Sequence, residues 1–365
     1  MARTRKIALP PTDPGTDRFL IVQEWGETGP TAYLQAGLHA DEPPGRLVLH
    51  HLAALLADAE RDGRLSGRVI LVPIANPVGL GQRLRDGLSG RFHFDTGVNF
   101  NRLHLDLEAA LTAALPSTGP LAVAEGRRAL RQAWAARPQP VEESAALKHL
   151  LFGLALDADL VLDLHCDSEA ILHVYGAASQ AAAVREIAAF VGAPVVLLAD
   201  TSGDRPFDEA LSAPWGAVRE RLAPGEFGTV AVTLELRGAT DVDDTLARAD
   251  ALALLALLAR YGIVRDASPV PVFAGQSGPL EGVDMIAAPC PGLVIYGAAL
   301  GERVAAGAVV AEVLDAEGRR HPVVSRASGV VFARLSRRLV RPGDIIVKVA
   351  GEEPLAHRQG VLLTA

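Results

Sequence analysis

Residues 31–63 read TAYLQAGLHADEPPGRLVLHHLAALLADAERDG. The stretch opens with an apolar run closed by Gly37, the pattern of a strand. From Arg46 onward apolar positions recur at helical spacing until Gly63, which stops an amphipathic helix. Between the two lies LHADEPPG, a loop with a histidine and a glutamate three residues apart. The next stretch, GRVILVPIANP (67–77), is a β-branched run closed by Asn76 and Pro77, a second strand.

The same order returns later in the chain. ADLVLDLHCD (158–167) and TVAVTLELRG (229–238) are near-continuous apolar runs that end in polar residues, whereas ALKHLLFGLAL (146–156) and SQAAAVREIAAFVG (179–192) are helical. This alternation predicts an α/β domain with a mostly parallel sheet covered on both faces. In such sheets ligands gather beyond the carboxyl ends of the strands, and the polar clusters fall there. Residues 79–111, rich in Gly, Arg and Asn, break the pattern and read as a functional or mobile insertion.

After Tyr261 the character changes. Residues 264–282 have the Pro and Gly density of a crossover, and short β-like runs with turns follow. APCPGLVIYGAALGERVAAGAVVAEV (288–313) and RASGVVFARLSRRLVRPGDIIVKV (326–349) repeat one pattern, with Val304 and Gly307 matching Val340 and Gly343. Two such copies can close into a small β-sandwich, each covering the other's edge. The repeat resembles the biotinyl/lipoyl-type domain, yet the tip between the copies, LDAEGRRHPV (314–323), holds no lysine to modify, which argues against a carrier role. The expected division is a catalytic α/β domain over residues 1–265 and a β-rich domain over 266–365.

Composition narrows the partners. A chain of 365 residues, 49% of them hydrophobic, can bury a sizeable core. Its 35 Lys and Arg against 43 Asp and Glu leave a net charge of −8, a poor match for nucleic acid, so a small molecule is the expected partner. The most apolar long segment (246–264) carries Arg248, Asp250 and Arg260 and reads as a packed helix, not a membrane span. The N-terminal stretch lacks the apolar run of a secretory signal. With only Cys166 and Cys290, no disulfide framework is expected and a reducing cytoplasm suits the chain. A homo-oligomer is compatible with all of this.

Hydrolytic zinc needs about three protein ligands and one open position. His39 and Glu42 share one strand-to-helix loop and His165 ends a separate strand, so the three would meet at one edge of the sheet. The plainer reading makes the acidic residues a helix cap and His165 a core histidine. Glu235 lies among apolar residues, where an unpaired carboxylate is costly. It either pairs with an arginine such as Arg237 or faces a cavity, a metal or a cation, where a raised pKa would suit a general base. Asn101 and Arg102 place an amide beside a guanidinium, a bidentate reader of carboxylates. Arg91 could offer positive charge to a developing oxyanion, and a solvated loop is the plain alternative for these arginines. His50, His51, His149, His173 and His321 lack a ligand partner at useful spacing. Cys166 should point away from the face of His165, because adjacent strand residues alternate.

Taken in order, HADE (39–42), ANPVG (75–79), NFNR (99–102), DLHCD (163–167) and VTLELRG (232–238) resemble the succinylglutamate desuccinylase/aspartoacylase family, relatives of the zinc carboxypeptidases. The resemblance spans residues 34–261. It implies a carboxypeptidase-like mixed sheet flanked by helices, followed by a β-rich domain. It implies one zinc ion held by His39, Glu42 and His165, with Glu235 as general base. Asn101 and Arg102 would read the substrate carboxylate, and Arg91 would polarise the scissile carbonyl. More residues separate Arg91 from NFNR than in the aspartoacylase branch, which leaves Arg83 and Arg85 as competitors. Arg219 or Arg221 could stand near the arginine that reads a second carboxylate, with no motif to select either. The implied activity is hydrolysis of the amide bond in a small N-acyl amino acid. The rival readings are a metallocarboxypeptidase acting on short peptides and a non-enzymatic binding protein.

Overall fold

The structure is a computed structural model that describes residues 2–363 apart from Ser117 and Ser268. Its largest sheet takes nine strands: β1 (Arg3–Ala8), β2 (Phe19–Trp25), β3 (Thr31–Ala36), β4 (Arg68–Val72), β5 (Leu160–Asp167), β6 (His173–Gly176), β7 (Val195–Leu198), β8 (Val230–Gly238) and β9 (Gln276–Pro279). They lie in the order β1, β2, β4, β3, β5, β8, β6, β7, β9. The run from β4 through β3 and β5 to β8 is parallel, as are β6 with β7 and β7 with β9. The sheet is mixed because β1 with β2, β2 with β4, and β8 with β6 are antiparallel. The β8/β6 pair has a local cause. No helix separates β5 from β6, so β6 enters the sheet beyond β8 running the opposite way.

Helices cover both faces. On one face α1 (Pro44–Arg61), α3 (Ala181–Val191) and α5 (Asp244–Arg260) bury apolar side chains against the sheet. On the other, α2 (Glu143–Ala155) and α4 (Phe207–Ala217) do the same. In α1 the buried positions Val48, Leu49, Leu52, Leu56 and Ala59 follow the helical repeat of the sequence. The helix begins on Pro43 and Pro44 without a side-chain cap, so Asp41 and Glu42 are free of the capping role. Gly45 lets it approach the sheet: a Cβ there would stand 2.9 Å from Leu164 Cβ and 3.0 Å from Ala36 Cβ. The loop before α1 is thus drawn down onto the ends of β3 and β5.

Two further sheets follow β9, which itself comes from beyond residue 265. Their strands are β10 (Val283–Ala287), β11 (Gly292–Tyr296), β12 (Arg303–Val304), β13 (Val309–Leu314), β14 (Arg320–Val324), β15 (Gly329–Arg334), β16 (Leu339–Val340) and β17 (Ile345–Gly351). One sheet runs β10, β17, β15, β12 and the other β14, β13, β11, β16. The short strand of each repeat crosses to the sheet dominated by the other copy: β12 pairs with β15, and β16 with β11. Val331, Val347 and Val349 of one sheet share a core with Val294, Val310 and Val313 of the other. The repeated glycines, Gly307 and Gly343, both adopt φ +88°, a left-handed turn that glycine takes at little cost.

This β-rich unit is joined to the carboxyl end of the central strand β5. Residues Glu169–Ala170, just past β5, pair antiparallel with Ala333 and Arg334 of β15. Arg334 and Arg338 both bond the Glu169 carboxylate, at 2.6 and 2.9 Å, while stacking over the Tyr296 ring. Lys348 of β17 forms an ion pair with Asp167.

Candidate active site

The loop after β3 is set by its neighbours. Gly37 takes φ +69° at the strand end. Asn76, the amide of the ANPVG stretch, donates to the Leu38 carbonyl at 2.9 Å and caps its own short helix by accepting from Gly79 N–H at 2.7 Å. The Ala40 N–H donates to Gly90 O, tying the loop to the residue before Arg91. His39 and Glu42 are thereby held over the end of β5, where His165 lies.

The three side chains converge. Glu42 Oε1 is 2.9 Å from His39 Nδ1 and Glu42 Oε2 is 2.8 Å from His165 Nδ1, and one donor atom from each residue lies within 4.8 Å of the other two. The outer nitrogens are occupied elsewhere: His39 Nε2 lies 2.8 Å from Asn99 Oδ1, and His165 Nε2 lies 3.0 Å from Asp163 Oδ2. Asn99 Oδ1 accepts from His39 Nε2, which leaves His39 Nδ1 a lone pair to turn inward. His165 Nε2 also lies 3.3 Å from Asn101 Nδ2, and although burial opposes it, the Asp163 and Glu42 carboxylates hold this imidazole well above its ordinary range. Asp163 is held in turn by Gln35 Nε2 at 3.0 Å, and Gln35 accepts from the Tyr33 hydroxyl at 2.7 Å. Burial opposes ionisation of Glu42, but His39 and His165 outweigh it and hold the carboxyl well below its ordinary range. Two imidazoles and a carboxylate, buried and converging, form a donor set that suits a divalent metal such as zinc.

Strand register supplies the rest. In the β5/β8 pair Glu235 stands opposite His165 and Thr233 opposite Asp163. These residues share the sheet face that carries Tyr33 and Gln35. Glu235 does not pair with Arg237. Arg237 turns the other way, at φ +62° beside a register shift, and forms an ion pair with Asp250 of α5. Glu235 Oε2 is buried with no hydrogen-bond partner. Burial, reinforced by the Glu42 charge, pushes this carboxyl up to about 8.

Arg91 reaches the cluster. Its Nη1 stands 3.2 Å from Glu42 Oε1 and 3.2 Å from His39 Nδ1. Arg83 and Arg85 sit on an exposed hairpin and line no part of the cavity described below. Arg102 is buried, and its Nη1 donates to the Asn101 carbonyl at 2.7 Å while Nε has no partner. Burial, then Arg91, lowers its pKa. Lys148 of α2 donates to the carbonyls of Asn99 and Arg102, fixing the NFNR loop from below. Asn101 is partly committed, because its amide oxygen accepts the Phe207 N–H at 2.9 Å. Arg219 and Arg221 bond backbone carbonyls of Glu226 and Gly119 and line no part of the cavity.

His39, Glu42, His165, Glu235, Arg91, Asn101 and Arg102 all border one cavity of about 420 Å³. Other wall residues escaped the sequence reading: Tyr175 of β6, Asp208 of α4, and Met285, Lys348 and Leu363 from beyond residue 265. Cys166 also lines it, against the alternation rule. The cavity wraps the end of β5, and the Cys166 N–H donates to Glu42 Oε2 at 3.1 Å. Four of the other histidines serve locally: His51 contacts Asp244, His149 stacks on Trp134, His173 bonds the Ile171 carbonyl, and His321 contacts Asp315.

Comparison with known proteins agrees with this geometry. A model of the succinylglutamate desuccinylase/aspartoacylase catalytic domain matches residues 28–261. A solved structure described as a putative succinylglutamate desuccinylase/aspartoacylase from Shewanella frigidimarina is 25% identical, covering 96% of this chain and 97% of its own, with a TM-score of 0.81. A second, from Shewanella amazonensis, is 26% identical over 95% of this chain and 98% of its own, also at 0.81. One from Rhodobacter sphaeroides, 19% identical with a TM-score of 0.67 over 96% of each chain, shares the fold. Comparison with curated proteins gives no match. The chain belongs to the succinylglutamate desuccinylase/aspartoacylase family.

Proposed function

We propose that this member of the family is a zinc-dependent hydrolase of the amide bond in small N-acyl amino acids. The observation that carries the reading is the convergence of His39, Glu42 and His165 with an unpaired Glu235 and a buried Arg102 around one cavity. His39, Glu42 and His165 would hold one zinc ion, which supplies Lewis acidity and lowers the pKa of a water towards about 7.

The protein's own groups carry the remaining work. Arg102, with Asn101 beside it, binds the carboxylate of the amino-acid moiety and so fixes the acyl amide in the cavity. Glu235 takes a proton from the attacking water and returns it to the leaving amine, the task for which a high carboxyl pKa is suited. Arg91 donates hydrogen bonds to the oxygen on which negative charge develops. The second domain, which we read as a β-sandwich of biotinyl/lipoyl type, walls the cavity with Met285 and Lys348. That wall supports small substrates over peptides, which need an open groove. We place the enzyme in the cytoplasm, with a small molecule as its partner; no described helix is long and apolar enough to cross a membrane.

A screen of the zinc-loaded protein over N-acyl amino acids that differ in acyl chain and side-chain charge, with dipeptides alongside, tests the proposal. Turnover of N-acyl amino acids is expected. Cleavage confined to dipeptides would favour the carboxypeptidase reading, and inertness toward every amide would remove the hydrolase reading.

A further inference from the structure

The cavity changes character along its length. Its ligand end, at His39, Glu42 and His165, lies over β5, and from there it runs across the ends of β8 and β6 to Leu197 and Ala199 at β7. Tyr175 stands opposite Thr233 and Leu197 opposite Tyr175, so this floor lies on the face that carries Asp163. Three strand spacings, about 14 Å, separate β5 from β7. At the far end Leu197 and Ala199 join Leu280, Met285 and Leu363 in one apolar cluster, in which no side chain carries nitrogen or oxygen. Leu363 is brought there by the segment after β17. Leu355 N–H donates to Glu281 O at 3.0 Å, and Leu362 and Leu363 N–H donate to Ser202 O at 2.8 and 2.9 Å. Arg358 Nη2 donates to Leu362 O at 2.8 Å. Gly203 admits the segment, since a Cβ there would stand 2.5 Å from Val361 Cγ1. The polar groups beside it answer one another: Glu209 Oε2 accepts from Ser202 N–H and Ser202 Oγ, both at 2.8 Å.

A wall of this kind gives water few partners and favours a chain of methylenes. Resting on the deacylase reading, we propose that Leu363 and Met285 are specificity-determining residues, which close a subsite for an unbranched aliphatic extension of the substrate. The extension belongs to the acyl group or to the amino-acid side chain, and both present the same methylenes to the same wall. A cavity of about 420 Å³ is of the size that holds a drug-sized ligand, more than an acetylated small amino acid fills. Met285 comes from β10 and Leu363 from the segment after β17. The chain beyond residue 265 thus sets the length of substrate that the large sheet's cavity accepts.

The test measures kcat/KM of the zinc-loaded protein over two series: N-acyl-glycines from acetyl to decanoyl, and N-acetyl amino acids with straight side chains from alanine through norleucine to α-aminodecanoic acid. At least one series should rise by about fourfold per buried methylene and then break off where the subsite ends, which identifies the group that fills it. Leu363→Ala and Met285→Ala should move the break to longer chains, and Leu363→Trp should move it to shorter ones. Efficiency that falls from the first member onward in both series, or a break that stays in place in both Leu363 variants, would overturn the proposal. Calorimetry with the free products, straight-chain fatty acids and straight-chain α-amino acids, reads the subsite without turnover. Affinity should climb with chain length in at least one set, to a break that Leu363→Trp shortens, and flat affinity in both sets would overturn the inference. Failure of every N-acyl amino acid to react, with affinity still climbing to that break, would count against the deacylase reading alone.

Discussion

Glu42 and His165 stand 123 residues apart in the chain and meet at 2.8 Å, through Oε2 and Nδ1. The contact joins the loop after β3 to the end of β5, so the donor set depends on the folded chain. Zinc should therefore stabilise the native state by mass action, about 4 kcal/mol at a thousandfold excess over Kd. Thermal scans with zinc and with chelator should differ for the wild type and coincide for a His39→Ala, His165→Ala double variant. A zinc-dependent shift that survives the double substitution would refute the ligand set.

Asp163 holds His165 Nε2 and is itself held by Gln35. Substituting Asn keeps the shape but removes the charge beside the imidazole. Zinc affinity should fall about 10- to 100-fold, measured by competition with a chromophoric chelator. Unchanged affinity would reduce Asp163 to a packing role.

Glu235 gives a pH prediction. With its pKa pushed up to about 8 by burial and by Glu42, the group is largely protonated at neutral pH. A divalent cation beside it favours the ionised form and lowers that value, so zinc uptake near pH 7 expels a proton from Glu235. Above about pH 8 the group is already ionised and the release fades. Calorimetry at pH 7 in buffers of different ionisation enthalpy should show about one proton fewer for Glu235→Gln than for the wild type, with the two converging by about pH 9. Equal release at pH 7 would contradict the assignment. Turnover of the variant should drop about 10²- to 10⁴-fold.

Three arginines competed for the oxyanion role, and only Arg91 touches the ligand cluster. Arg91→Ala should lower kcat about 10²- to 10³-fold. Arg83→Ala and Arg85→Ala, on the exposed hairpin, should stay near the wild type. A comparable loss in either hairpin variant would reopen the assignment.

Gly45 permits the contact of α1 with Leu164 and Ala36. Gly45→Ala should destabilise the fold by about 1–3 kcal/mol through overpacking. Because α1 follows directly on Glu42, zinc affinity should fall with it. Urea denaturation and metal titration of the variant read the two effects separately, and a stability equal to the wild type would show that the helix yields without cost.

The ligand loop, the strand of His165 and the strand of Glu235 were legible because each is a local pattern: an apolar run with a polar end. What was hidden depends on register and on neighbours. Asp163 lies within the DLHCD stretch, but only the β3/β5 pairing reveals Gln35 behind it. Tyr175 sits on β6, a strand of only four residues whose entry beyond β8 no periodicity announces. Asp208 looks in sequence like an ordinary acid opening a helix, and its place on the cavity wall emerges only from the fold. The exchange of β12 and β16 between the two sheets was likewise beyond a repeat read in one dimension, since two-residue strands carry no alternation.

The pairing of Glu169–Ala170 with β15 has a mechanical consequence. Swinging the β-rich unit away from the cavity would peel apart a shared ladder, break the Lys348 and Arg334 ion pairs, and tug on a segment four residues from His165. The β-rich unit is a buttress, not a hinged door. If the hydrolase reading holds, substrates would be sorted by static fit at the doorway, and their bulk, not a closing motion, would set the limit.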